Sequence, residues 1–169
     1  MTGNKDLIRI FEYALQQEET GKRFFQDSLK RMGWGSAVSA FERLIHEEEH
    51  HILFIQGILS DLKQGRSAQW RTLQKPSLEP TNYFDERAKS EFLQRCLEES
   101  MVPEVTIFNT AWLIEKDLSE FYEKMANRTK GEAKAALEML SGWEKAHERL
   151  FREYRDKFDE MYSKLPWGG

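Results

Sequence analysis

The stretch FERLIHEEEHHILFI, residues 41–55, decides the fold, together with its counterpart LEMLSGWEKAHERLF, residues 137–151. Each contains a Glu-x-x-His unit, Glu48 to His51 and Glu144 to His147, set inside a run whose apolar residues recur at three- and four-residue steps. Side chains three residues apart share one face of a helix, so each unit aims a carboxylate and an imidazole at one point. About thirty residues upstream of each unit a further glutamate, Glu18 or Glu115, interrupts another apolar stripe. Four helices carrying these groups can close a cage of six ligands, Glu18, Glu48, His51, Glu115, Glu144 and His147, around two metal ions.

The register of the stripes separates ligands from solvated acids. The first helix reads Leu7, Phe11, Ala14, Glu18, Gly21, Phe25, and the second reads Phe41, Leu44, Glu48, His51, Ile55, Ile58, Leu62. The third reads Phe108, Ala111, Glu115, Leu118, Tyr122, Met125, and the fourth Leu137, Leu140, Glu144, His147, Phe151, Tyr154, Phe158. An acid falls inside the apolar stripe every time. Glu47 and His50 form another Glu-x-x-His one residue out of register, on a mixed stripe of Ala40, Arg43, Phe54, Gly57 and Asp61. They are therefore expected on the outside of the bundle or at its boundary, and His46 on a solvated face, because charged residues are seldom buried unpaired.

Working outward, helical periodicity dominates the chain and strand-like alternation is almost absent, so the fold class is all-α. The pattern predicts helices from about Asp6 to Arg31, from an N-cap at Ser36 to about Leu62, from Pro103 to about Asn127, and from Gly131 to about Lys164. Gly33, Trp34 and Gly35 make the first turn. The polar stretch with Gly65, Pro76 and Pro80 is too long for a hairpin turn and reads as a crossover along the bundle, with a short extra helix over Asp85 to Ser100. All 169 residues, 40% hydrophobic and 32% charged, are expected to form one domain.

A net charge of −4 invites neither nucleic acid nor an anionic membrane. The start carries Lys5, Asp6 and Arg9 with no unbroken apolar run, so neither a signal peptide nor a membrane span is expected and the localisation read is cytoplasmic. Cys96 is the single cysteine, which excludes an intrachain disulfide and a four-thiolate iron site within these residues. Four buried carboxylates would repel one another and lose their hydration at large cost unless cations neutralised them, which favours a metal centre over a metal-free scaffold. Glu18 precedes Glu48 by thirty residues and Glu115 precedes Glu144 by twenty-nine, so the two helix pairs form an internal repeat.

Ala14 to Phe25, Phe41 to Ile55, Thr110 to Tyr122 and Leu140 to His147 resemble the four helices of rubrerythrin-like proteins. The resemblance implies a ferritin-like four-helix bundle with a non-haem di-iron centre. On that likeness Glu48 and Glu144 would bridge the metals, Glu18 and His51 would complete one site, and Glu115 and His147 the other. The chain departs from the family where Leu118 replaces an additional glutamate, where Trp143 replaces an acid, and where Phe25 stands in place of an aromatic hydroxyl. It also lacks the four cysteines of a rubredoxin-like module.

Carboxylate and imidazole donors suit iron or manganese better than thiolate-seeking metals, so two iron ions are expected, with manganese as the other choice. The expected activity is an oxidoreductase that reduces peroxide or dioxygen in response to oxidative stress. Its electrons would come from an external donor such as a rubredoxin-like protein or a reductase. The alternative is a ferritin-type ferroxidase or iron store. Trp34, Trp70 and Trp167 lie in connections or near the end and suit contact with another subunit, so a homo-oligomer, a dimer, is expected. Tyr122 is the better placed of two stripe tyrosines, ahead of Tyr154, to hydrogen-bond a ligand carboxylate. Trp112 and Trp143 are read as core packing ahead of electron relays, and Cys96 as a small buried residue.

Overall fold

The computed structural model describes residues 3–31, 36–66 and 102–164. The described residues form four helices: α1 over Asn4–Arg31, α2 over Ser36–Lys63, α3 over Val102–Ala126 and α4 over Gly131–Lys164. Their limits fall within two residues of those predicted from capping and periodicity. The expected crossover and the short helix at 85–100 lie outside the described residues, as do Cys96, Trp34, Trp70, Trp167 and the side chain of Tyr154. Among the described residues no helix is long and apolar enough to cross a membrane.

Local chemistry sets the helix ends. The backbone N–H of Gly3 donates to the Asp6 carboxylate (3.2 Å), satisfying a donor at the start of α1. At the end of α2, Gly65 takes a positive φ of 69°, which allows Arg66 N–H to reach Asp61 C=O (2.9 Å) and Gly65 N–H to reach Leu62 C=O (3.1 Å). This paired closure satisfies carbonyls that the helix leaves open. The Arg66 guanidinium then binds the Asp61 carboxylate (2.7 Å), locking the same turn.

The helices pair antiparallel, α1 with α2 and α3 with α4. Asn4 Nδ2 donates to Leu62 C=O (3.1 Å) and Lys22 pairs with Glu49 (2.8 Å), tying α1 to α2 at two levels. Between α3 and α4, Ser141 Oγ donates to Ser119 C=O (3.2 Å) and Lys145 pairs with Glu123 (2.8 Å). The two pairs then close on a core divided into two apolar plugs. Phe25, Phe41, Phe108 and Phe151, one from each helix, meet with ring centroids 5.6 to 6.1 Å apart and fill one plug with Leu44 and Ala111. Phe11, Ile55, Ile58, Leu118, Leu137 and Leu140 anchor the other. Along every helix the acids predicted as ligands fall between the plugs, so a polar layer crosses the bundle with apolar packing above and below it.

Gly142 lies within α4, exposed, and a β-carbon there would meet nothing within 4 Å. Alanine restricts the unfolded chain and favours the helix, so Gly142→Ala should stabilise the protein by about 1 kcal/mol. A rise in Tm of roughly 2–4 °C would show it; an unchanged or lower Tm in thermal denaturation would contradict the open space seen at this position.

Candidate metal centre

The polar layer gathers Glu18 from α1, Glu48 and His51 from α2, Glu115 from α3, and Glu144 and His147 from α4, none more than 3% exposed. Their donor atoms form two overlapping groups, Glu18, Glu48, His51 and Glu144, and Glu48, Glu115, Glu144 and His147, with the atoms of each group within 4.8 Å of one another. Glu48 and Glu144 belong to both. His51 Nδ1 lies 2.9 Å from Glu144, 3.5 Å from Glu18 and 3.6 Å from Glu48. His147 Nδ1 lies 3.3 Å from Glu48, 3.3 Å from Glu115 and 3.4 Å from Glu144. Each imidazole nitrogen thus faces three carboxylates instead of pairing with one.

Part of this proximity is hydrogen bonding, as between His147 Nδ1 and Glu115 Oε2 at 3.3 Å, but much of it is not. Glu18 Oε2, Glu48 Oε1, Glu115 Oε1, both Glu144 oxygens and His51 Nδ1 are buried without a hydrogen-bond partner among the described residues. Buried polar atoms are almost always satisfied, and leaving several orphaned in one layer would be very costly. Lone pairs converging on shared points are what cations require, and oxygen and imidazole donors suit first-row divalent metals. The donor set therefore fits a pair of metal ions.

Titration behaviour follows from the same crowding. Burial raises Glu18 and Glu115 well above the ordinary carboxylate range, and the charges of Glu144 and Glu48 push both further. Burial also opposes ionisation of Glu48 and Glu144, and Glu144 adds to it at Glu48, but His51 foremost, with His147 at both and Glu115 at Glu144, holds the two below that range. Although burial disfavours charge on His51 and His147, Glu144 and Glu48 raise the first and Glu115 the second well above the usual imidazole value. The shifts thus run in opposite directions around the layer, upward at both imidazoles, Glu18 and Glu115 and downward at Glu48 and Glu144. Protons take the place of cations when metal is absent.

Tyr122 is fully buried and its hydroxyl donates to Glu18 Oε1, as its stripe position suggested. Burial, reinforced by the neighbouring carboxylates of the layer, raises its pKa and favours the protonated phenol. Trp143 stacks on His51, with centroids 4.8 Å apart and planes 11° apart, and meets Phe54 edge-on. Glu47 requires a correction. Its mixed stripe placed it outside or at a boundary, yet it is 3% exposed and its carboxylate lies 2.9 Å from His147 Nε2. The stripe has an inner end, because Phe54 is also buried and His50 is half-buried; Trp143 and His147 of α4 reach the edge of α2 that the pattern left to solvent. Neither Glu47 nor His50 joins a donor group, and His46 is exposed.

The chain matches the Rubrerythrin family model over residues 9–155. It belongs to the rubrerythrin family. Comparison with curated proteins and with solved structures found no match. This rubrerythrin-family chain is a di-metal carboxylate protein, and the family match spans all six residues of the polar layer.

The proton inventory sets a pH dependence. Groups whose folded pKa is raised hold protons that the unfolded chain has released, so their contribution is complete below the unfolded pKa and is lost as pH rises through the folded one. For His51 and His147 that loss begins near 6.5, the ordinary imidazole value. Glu18 and Glu115 act in the same direction from 4.5 upward. The metal-free protein should therefore melt at progressively lower temperature between about pH 7 and pH 9, while the metal-loaded protein, whose ligands must be deprotonated, should weaken on acidification. Thermal melts of both forms across this range test the pair of signs; rising stability of the metal-free form would refute the charge assignment.

Proposed function

We propose that this rubrerythrin-family protein is a di-iron oxidoreductase that reduces peroxide or dioxygen with electrons from an external donor. The observation that carries the reading is the buried six-residue layer, whose orphaned oxygens and nitrogens converge in two overlapping groups. Glu18 and His51 would hold one iron, Glu115 and His147 the other, and Glu48 and Glu144 would serve both. Bound ferrous ions supply two electrons to an oxidant, and mixed carboxylate and imidazole ligation tolerates changes of oxidation state.

The surrounding residues suit that task. The phenylalanine plug and the aliphatic plug exclude water from both ends of the layer, which strengthens every electrostatic interaction within it. Tyr122 keeps a proton at its hydroxyl oxygen, directed at Glu18, close to where a reduced oxidant needs one. Leu118 lies buried in the aliphatic plug and brings no further carboxylate to the layer. Cys96 is the single thiol among these 169 residues, so they hold no four-thiolate iron site of their own, and the electrons are assigned to a donor outside this di-metal domain.

Protein reconstituted anaerobically with ferrous iron should bind two ions per chain and oxidise when given peroxide or dioxygen, developing the near-ultraviolet absorption of an oxo-bridged diferric pair. Re-reduction by an added donor should allow repeated turnover without iron accumulating, which distinguishes this activity from iron storage. Glu144→Ala removes a carboxylate common to both groups and should lower the oxidation rate by at least about 100-fold. Ferrous protein that stays reduced in the presence of both oxidants would sink the proposal.

A further inference from the structure

The two helix pairs repeat one another around the polar layer, so neighbours of one half can be matched with neighbours of the other. Glu47 stands immediately before Glu48 and Trp143 immediately before Glu144; Phe25 follows Glu18 by seven residues and Tyr122 follows Glu115 by seven. At both matched positions the chemistry differs. Glu47 reaches across to His147 Nε2 at 2.9 Å, whereas Trp143 reaches across to His51 with the flat face of its indole. Tyr122 donates its hydroxyl to Glu18, while Phe25 has no hydroxyl to give and stacks on Phe151.

These two differences act in the same direction. A carboxylate accepting the Nε2–H of an imidazole fixes the tautomer that turns the Nδ1 lone pair inward and makes that nitrogen a stronger donor. An indole face packs against the ring but accepts no such proton. A phenol donating to a carboxylate occupies one of its lone pairs and draws off part of its charge, which weakens it as a ligand. The Glu115–His147 half therefore holds the reinforced imidazole and the carboxylate without a phenol; the Glu18–His51 half holds neither.

We propose that the two halves are unequal by construction: the Glu115–His147 half takes the first divalent cation, the Glu18–His51 half takes the second, and Glu47 is the positioning residue that sets this order. The inference rests on the di-metal reading above and adds a direction to it. Repulsion between two cations would by itself make the second bind more weakly in any shared site, so the order must be assigned by position and not by the presence of two steps.

Titration of metal-free protein with Co²⁺, followed by calorimetry and by the visible absorption of the bound ion, reads the order without relying on turnover. His51→Ala should keep the tight first step, and His147→Ala should lose it. Glu47→Gln, of the same size, should weaken the first step by about 10–100-fold and leave the second nearly unchanged. Tyr122→Phe should strengthen the second step and draw the two together. Both phenylalanine and glutamine replacements preserve volume, so the fold, checked by circular dichroism, should persist. Equal loss of the first step in the two histidine variants, or equal weakening of both steps by Glu47→Gln, would overturn the inference. Wild-type protein that takes up no cobalt would instead overturn the di-metal reading beneath it.

Discussion

Everything in this bundle answers to the burial of five carboxylates, Glu47 among them, and two imidazoles in one dry layer. Two unit charges about 4 Å apart interact by roughly 4 kcal/mol at the effective dielectric of a protein, and a domain is stable by only about 5–15 kcal/mol in total. Several unbalanced like-charge contacts would therefore unfold it. The ligand set has two ways to relieve that repulsion. Protons held among its carboxyl and imidazole groups provide one, and a pair of cations provides the other. The helix pairing and the plugs above and below hold the ligand atoms together so that either solution fits the same scaffold.

Most of this was legible in the chain because helices write their buried face into the sequence at a fixed period. The six acids and histidines each break an apolar stripe, and the structure brings all six together. Tyr122 was readable for the same reason, lying on the Glu115 stripe two turns on. The helix ends were legible from the residues that break the periodic stripes: Gly65, in the polar stretch after α2, and Gly131, at the end of the basic turn before α4, both take left-handed conformations, with φ of 69° and 63°. What periodicity does not carry is which helix covers which flank of its neighbour.

Glu47 shows the consequence. A residue one position away from a core residue points about 100° around the helix, and whether that direction meets solvent or another helix depends on the packing of the whole bundle. On α2 it meets α4, and the carboxylate finds His147. The available signal was Phe54, an aromatic residue two turns further along the same flank, and Trp143, an aromatic residue at the matching position of α4. Both are difficult to reconcile with a solvated face. Along the stripe the charged Arg43 and Asp61 mask this apolar end.

The same flank explains why the internal repeat is imperfect where it matters. If the bundle needed only to hold two cations, matched residues on both sides would serve, as Glu48 and Glu144 or His51 and His147 do. Instead the positions just outside the ligands differ, with a carboxylate against one imidazole and an indole against the other, and a phenol against one carboxylate where the position matching that phenol carries a phenylalanine. These differences do not follow from the need for stability, because a buried Glu47 must be satisfied by His147 at some cost in desolvation, whereas an apolar residue there would pack without it. A buried carboxylate retained at one of two matched positions is most simply explained by what it does to the imidazole it touches. Its effect is to make two chemically similar ligand sets hold their ions with unequal strength.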